Sequence, residues 1–307
     1  MRATAMLLVA AVTLPALAGC ASPSGGPASS GSRAPDVMAT FYPLQFLAQR
    51  VAGPDLVVGS VVRPGVEPHD YEATADDVVK IHDAKALVVM GAGFEAWLQT
   101  ARSQAPDTRL IVSTEGLRTR ANPDEEEAKS LPADPHTWMS PVLAQQMARN
   151  VQAGLAAAWP DKAATFRANA DQLVADLKEL DREYRLTLAN CSTPFAVTNH
   201  AAFGYLAEEY NFTQIPIAGL DPEAEPDPQT VAHVVDEAKA HNVTVVFFED
   251  SVSSKVAQTI ADQAHATTRV LSPIEIVPEE RQRQGVDYFT VMREDMVALH
   301  DGMGCSP

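Results

Sequence analysis

The sequence predicts an α/β fold of two lobes, each built on a parallel-type sheet flanked by helices, joined by one long rigid backbone helix. Three observations predict it. Short apolar or β-branched runs alternate with helical patterns in both halves of the chain, as parallel strands covered by crossover helices require. One unusually long periodic segment, Asp161 to Ala189, separates the halves, and no Gly/Ser linker flanks it. Finally, 307 residues with 46% hydrophobic content suit about two domains with a substantial core.

The elements follow in order. The first lobe is expected over residues 36–159, the connecting helix over 160–190 and the second lobe over 191–307. Leu56 to Val62 is a β-branched run ended by Pro64-Gly65, a strand followed by a turn. Thr74 with Asp77 three residues later forms a capping box opening a helix to about His82. Leu87 to Met90 reads as a short buried strand, Phe94 to Ala101 as a helix and Leu110 to Val112 as another strand. Ser140 followed by Pro141 marks an N-cap with proline at the first helical position, and that helix runs to about Trp159. In the long segment, Phe166, Ala170, Leu173, Leu177, Leu180 and Tyr184 recur at spacings of 4, 3, 4, 3 and 4. That is one apolar stripe on a helix of about 40 Å. The second lobe repeats the alternation: strand Phe195–Thr198, helix Ala201–Tyr210, helix Thr230–His241, strand Val243–Phe248, helix Ser254–Ala264, strand Arg269–Leu271 and closing helix Val286–Leu299.

Residues 1–19 read as a secretory signal. Arg2 supplies a positive start, Met6 to Leu17 an apolar stretch, and Ala18-Gly19 small residues before Cys20. The apolar run is shorter than the roughly 20 residues of a membrane span, and no later segment is long and apolar enough. Leu17-Ala18-Gly19-Cys20 resembles a bacterial lipobox, in which the cysteine is lipid-modified and becomes the first residue. Ordinary cleavage near Ala18 with a spare cysteine is the alternative. Residues 20–35, rich in Ser, Gly and Pro, read as a flexible tether. An exported compartment permits disulfides, so Cys191 and Cys305 read as one bridge pinning the C-terminus to the second half. Two unrelated buried thiols are the plainer alternative.

Acids outnumber bases 40 to 23, a net charge of −17. That balance argues against binding a phosphate backbone, which needs clustered Lys and Arg, and so against nucleic acid as a partner. It weakly favours a cation. Three of the eight histidines share one setting. His69 lies in a proline-bounded loop after a strand, His136 follows Asp134-Pro135 just before a helix, and His200 ends the strand segment Val197-Thr-Asn-His. Ligands of open α/β sheets bind at the carboxyl ends of strands, so these three are candidates for one cleft between lobes. His82, His233, His241, His265 and His300 sit in or at the ends of helices and read as solvated or locally bonded. Glu249 and Glu275 each follow a strand, and spacing does not choose between them. The acidic loop Asn122 to Lys129 reads as solvated, with a cation-gathering role near the cleft mouth as the functional alternative.

Together these residues resemble the metal-receptor lipoproteins of zinc and manganese ABC importers, nearest the zinc-uptake branch. The matching motifs are Gly65-Val-Glu-Pro-His69-Asp-Tyr-Glu, Asp134-Pro-His136-Thr-Trp-Met, Asn199-His200-Ala-Ala-Phe-Gly-Tyr-Leu, Phe248-Glu249, and Leu271-Ser-Pro-Ile-Glu275 followed by Asp287-Tyr288. The resemblance covers residues 36–305 and implies a metal ion between two α/β lobes joined by a backbone helix. It implies His69, His136 and His200 as nitrogen ligands, Glu275 as the fourth ligand, and Glu249 as a supporting or alternative acid. Zinc members of the family often carry a His-rich loop before the second ligand. Here that loop is short and acidic.

The resemblance further implies a non-enzymatic receptor that captures Zn²⁺ and delivers it to an ABC permease, acting as a monomer, with a zinc chaperone as a further partner. Lipid on Cys20 would hold it on the outer face of the cytoplasmic membrane, the periplasmic side in a host with two membranes. Three imidazoles and one carboxylate suit a four-coordinate zinc site, whereas Mn²⁺ favours oxygen-rich sites, and manganese members of the family typically place an acid where His200 stands. A manganese- or iron-type receptor of the same fold is one alternative. An exported zinc hydrolase with Glu249 as base is another, although the chain has no His-Glu-x-x-His. A surface metal-binding adhesin would share the site.

Overall fold

Each lobe grows outward from a short buried strand. In the computed structural model, residues 34–306 are described, apart from 124–126 and 252. The expected signal peptide, nearly all of the tether and Cys20 lie outside the described residues. The first lobe runs β1 (Val37–Ala39), α1 (Tyr42–Ala52), β2 (Val58–Ser60), α2 (Ala75–Asp83), β3 (Ala86–Val89), α3 (Leu98–Gln104), β4 (Arg109–Val112) and α4 (Pro141–Ala158). Helix α5 (Ala163–Thr187) connects to the second lobe. That lobe runs β5 (Phe195–Thr198), α6 (Gly204–Tyr210), β6 (Thr213–Pro216), α7 (Pro228–Ala240), β7 (Val245–Phe248), α8 (Lys255–Ala264), β8 (Thr267–Val270), α9 (Glu279–Arg283) and α10 (Tyr288–Gly302).

The two sheets share one strand order, β2-β1-β3-β4 and β6-β5-β7-β8, with every neighbouring pair parallel. Val37 lies opposite both Val58 and Ala86, and Val197 opposite both Ile215 and Val246. The first strand of each lobe is therefore interior, and the chain leaves it toward opposite sides. That arrangement opens a crevice at the carboxyl ends.

Local chemistry fixes the helix starts. The Thr74 hydroxyl accepts from the Asp77 N–H at 3.3 Å, and the Asp77 carboxylate accepts from the Thr74 N–H at 2.9 Å, completing the predicted capping box. Ser140 caps α4 through the Leu143 N–H. Asp227 accepts from Gln229 and Thr230, which starts α7 at Pro228 rather than Thr230. Asp287 caps α10 at Tyr288, two residues after the expected start. Helix α3 begins at Leu98, not Phe94. Gly91, Ala92 and Gly93 all have positive φ, and the Glu95 carboxylate accepts from the N–H groups of Met90 and Gly91, so this stretch is a turn held by a side chain. Helix α6 begins at Gly204 rather than Ala201, because the Ala201 N–H is drawn to the Gly219 carbonyl at 2.7 Å. Strand β8 starts two residues earlier than expected. Strands β1 and β6 and helices α1 and α9 had no prediction.

The apolar stripe of α5 is wholly buried, from Phe166 to Tyr184. A short 3₁₀ turn at Pro160–Lys162 precedes the helix, whose 25 residues span about 37 Å at 1.5 Å each. The Tyr184 hydroxyl donates to the Met292 carbonyl at 2.6 Å, tying α5 to α10. One hydrophobic core runs from β1, α1 and α4 through α5 to α6 and α10, so the lobes share an interior. Residues Ala34–Pro307 form one compact unit. Cys191 and Cys305 are joined in a disulfide that ties the approach to β5 to the end of the chain. Among the described residues, no helix is long and apolar enough to cross a membrane.

Leu177 lies mid-way along the buried stripe with no exposure. Leu177→Ala is expected to cost about 2–5 kcal/mol, from lost apolar burial plus the cavity. The readout is a lower urea midpoint at unchanged slope. A loss below about 1 kcal/mol would contradict this packing.

Candidate metal centre

The carboxyl ends of both sheets supply the side chains. His69 follows β2, and His136 ends the long connection from β4 to α4. His200 lies two residues past β5, Glu249 directly after β7, and Glu275 five residues past β8. One ligand atom from each of His69, His136, His200 and Glu275 lies within 4.8 Å of all the others. Glu275 Oε1 is the hub. It stands 3.1 Å from His69 Nε2, 2.9 Å from His136 Nε2 and 3.7 Å from His200 Nε2. The Nε2 atoms of His136 and His200 are 3.2 Å apart. Donors of a tetrahedral zinc at about 2.0–2.1 Å would sit roughly 3.3 Å from one another. The four atoms therefore fit that ion with little movement.

The opposite ring nitrogens are already engaged. His136 Nδ1 is 2.9 Å from Asp134 Oδ1, which also accepts from the His136 backbone N–H at 3.0 Å. His200 Nδ1 is 2.5 Å from Glu249 Oε1. With Nδ1–H given to a carboxylate, each ring when neutral turns its Nε2 lone pair to the centre, the usual support of metal-ligating histidines. The His200 carbonyl accepts from Thr198 and Gln214, which pins its backbone. Glu275 is delivered by a tight loop. Ile274 there has φ 63°, its N–H donates to the Ser272 hydroxyl, and the Ser272 N–H donates to the buried Asp295.

Apolar walls close the site. His136 and His200 are fully buried and Glu275 nearly so. Phe94 packs edge-on against His69 at 5.1 Å, and Trp138 packs against His136 at 5.1 Å. The Trp138 indole donates to the Pro273 carbonyl at 2.7 Å, locking the two lobes' loops together.

Burial pulls His200 down, but the Glu249 and Glu275 carboxylates outweigh it and hold the imidazole well above its usual range. For His136, burial is likewise outweighed by Asp134 and Glu275, and the net direction is up. Burial pushes Glu275 up, yet the surrounding imidazoles bring it well below the ordinary carboxyl range. Glu67, whose carboxylate accepts from the His69 backbone N–H at 3.0 Å, is pushed up to about 8 by burial and by the charge of Glu275.

The four residues of the expected ligand set thus converge, and Glu249 stands behind His200 rather than among them. His82, His241 and His300 pair with Asp83, Glu237 and Asp301 away from the site, as local bonding predicts. Within the acidic segment, residues 124–126 lie outside the described residues, and Glu127 is not simply solvated, since it accepts from the Leu220 N–H at 2.8 Å. Sequence reasoning gave no role to Asp134, Phe94, Trp138 or Asp295. Asp134 had a signal: an acid two residues before a histidine across a proline is placed to bond both its N–H and its ring.

Residues 37–302 match the family described as the periplasmic component A of the zinc-uptake complex, ZnuA. The chain belongs to this family. A zinc-binding protein AdcA of Streptococcus pyogenes serotype M6 is 35% identical over 282 residues, covering 86% of this chain and 55% of that protein. The chain thus spans about half the length of the first curated relatives it matches. The high-affinity zinc uptake system protein ZnuA of Bacillus subtilis is 34% identical over 307 residues, covering 97% of this chain and 96% of that one. The crystal structure of the Zn(II)-bound ZnuA-like domain of Streptococcus pneumoniae AdcA superposes with a TM-score of 0.76 at 32% identity, covering 88% of this chain and 98% of that one.

The upward direction of His136 and His200 has a consequence for stability. An unfolded histidine loses its proton near 6.5, whereas His136 and His200 hold theirs to higher pH in the metal-free fold. Their stabilising contribution is full below about 6.5 and is lost as pH rises through the folded values. Glu67 acts in the same sense between its ordinary 4.5 and about 8. Glu275 acts oppositely, losing its contribution only as pH falls below the ordinary carboxyl range. The metal-stripped protein is expected to lose thermal stability as pH rises from about 6 to about 9, in calorimetric scans. A melting temperature that rises over that interval would contradict these directions.

Proposed function

We propose that this protein is an extracytoplasmic receptor that captures Zn²⁺ between its lobes and delivers it to an ABC permease for import. The observation that carries the reading is the convergence of three imidazoles and one carboxylate, buried at the carboxyl ends of two sheets, each donor within 4.8 Å of the rest. The zinc-binding and zinc-uptake names of its relatives support it. The donor set favours zinc over manganese. Imidazole-rich, four-coordinate shells suit zinc, while Mn²⁺ binds weakly to nitrogen sites and favours oxygen.

Four protein donors close a tetrahedral shell. A catalytic zinc ordinarily keeps one position for water, and Glu249 bonds His200 through Nδ1, on the side of the ring away from the converging donors. The reading is therefore a binding protein and not a hydrolase. Lipid on Cys20, with residues 21–35 as a tether, would keep the receptor near its permease. A single acyl chain anchors only marginally, so stable retention needs more than one. Because α5 and the common core resist wide hinge motion, capture and release fall to the loops around His136 and to small lobe shifts.

Competitive titration of the metal-stripped chain against chelators of graded affinity tests the reading. Zinc is expected to bind 1:1 and tightly, manganese much more weakly. His200→Ala is expected to cost more than the roughly 10–100-fold typical of removing an outer-shell partner. Manganese binding equal to zinc, or an unaffected variant, would defeat the assignment.

Acidification gives an independent check. Ligands must be deprotonated to bind metal, and protonated His136 and His200 compete from above the usual histidine range. Zinc affinity is therefore expected to fall continuously from about pH 7.5 to about 5.5, with protons released on binding. Equal affinities at those two pH values would contradict proton competition.

A further inference from the structure

Two of the four donors hang from different lobes, and a small polar assembly ties their supports together. His136 lies in the first lobe beside Asp134, and His200 lies in the second, four residues before α6. The Tyr205 hydroxyl, in the first turn of α6, accepts from the Arg120 backbone N–H at 2.8 Å and donates to the Asp134 carbonyl at 2.8 Å. The Arg120 guanidinium donates to Glu208 Oε2 at 2.8 Å on the same helix, while its Nε lies 3.7 Å from Asp134 Oδ2. Gly204 makes room for this approach, since a Cβ there would stand 2.8 Å from Arg120 Nε and 3.2 Å from Asp134 Oδ2. Asp134 in turn grips His136 at both its backbone and its ring.

We propose that Arg120 and Tyr205 form an interlobe clasp that fixes the separation of His136 from His200 and so sets how fast the bound cation leaves. The proposal rests on the zinc-receptor reading and extends it to the control of release. The cation is buried, so its escape requires the two imidazoles, now 3.2 Å apart at Nε2, to part. Parting them means sliding Asp134 against α6, which breaks the two Tyr205 hydrogen bonds and separates Arg120 from one of its carboxylates.

The clasp is built to matter more for release than for folding. Helix α5 and the common core hold the lobes together whether or not it is closed. The Arg120–Glu208 pair is about 40% exposed on both sides, a class of contact that adds little to global stability. Its inner partner Asp134 is only 3% exposed and touches a ligand directly. One end of the clasp is thus open to solvent and salt while the other reaches the metal shell. Arg120 and Tyr205 are positioning residues, because neither touches the cation.

Chelator-chase stopped flow on the zinc-loaded chain tests this, beside the melting temperature of each metal-free variant. Tyr205→Phe removes only the hydroxyl, and Arg120→Gln removes the charge from a half-exposed position. Each is expected to release zinc about tenfold faster, with little change in melting temperature. Arg120→Lys is expected to recover part of the loss. Arg118→Gln, which removes only the outer partner of Glu208 and leaves every contact to Asp134 in place, is expected to speed release less than Arg120→Gln. Wild-type release is expected to quicken with salt as the exposed pair is screened, and Arg120→Gln to flatten that dependence. Release within about twofold of wild type in both Tyr205→Phe and Arg120→Gln overturns the clasp while leaving the receptor reading intact, and so does a fall in melting temperature with release unchanged. A wild-type chain that binds no zinc overturns the receptor reading and the clasp with it.

Discussion

The structure depends on one buried carboxylate surrounded by three imidazoles. Removing a carboxylate from water costs several kcal/mol unless positive charge compensates it nearby. Glu275 Oε1 has imidazole nitrogens at 2.9–3.7 Å on three sides, and their net effect holds its carboxyl well below the ordinary range. The remainder of the site follows from the same need. Asp134 and Glu249 occupy the outer ring nitrogens and so turn the inner ones toward Glu275. Trp138 and Phe94 exclude water, which strengthens every charge interaction inside.

Such a cluster demands a frame that holds side chains from four separate loops with their ligand atoms within 4.8 Å of one another. The two parallel sheets provide it by aiming their carboxyl ends at one crevice. The shared core, with α5 along its length, sets the distance between the sheets. The Trp138–Pro273 hydrogen bond couples the His136 loop to the loop bearing Glu275, and the Tyr288 hydroxyl on the Trp138 carbonyl couples it to α10. Motion that frees a ligand therefore has to be local, because a wide hinge would tear a continuous apolar interior.

Much of this was legible in the sequence, for identifiable reasons. The period of α5 and the cap at Thr74 are local signals, and local signals survive translation into structure. The three histidines stood out because proline and strand ends framed them. The choice between Glu249 and Glu275 was not legible in spacing. Glu249 follows β7 at once and reaches only the back of His200, whereas Glu275 is swung to the centre by a loop whose Ile274 adopts a left-handed conformation. No sequence rule makes an isoleucine expected there. Strand β1 has three residues, and β6 carries Thr and Gln with a terminal Pro, so neither shows a period long enough to read. The roles of Asp295 and Glu127 depend on tertiary contacts across 23 and 93 residues, which periodicity does not report.

The metal-free fold must hold these buried acids without a cation, and the imidazoles beside them bear on how it does. His136 and His200 both favour the protonated state in the metal-free fold, driven by Asp134, Glu249 and Glu275. Two imidazolium protons carry the same charge as one divalent cation. The carboxylates that would help hold a bound cation therefore also favour a proton on these imidazoles when no cation is present. A site that relied on the metal alone for compensation would leave several buried acids facing one another on release, and folding would be lost with the cargo, as it is in small structural zinc domains. Proton and cation compete for the same imidazole nitrogens, so the carboxylates that orient His136 and His200 also set how strongly acid opposes a cation there.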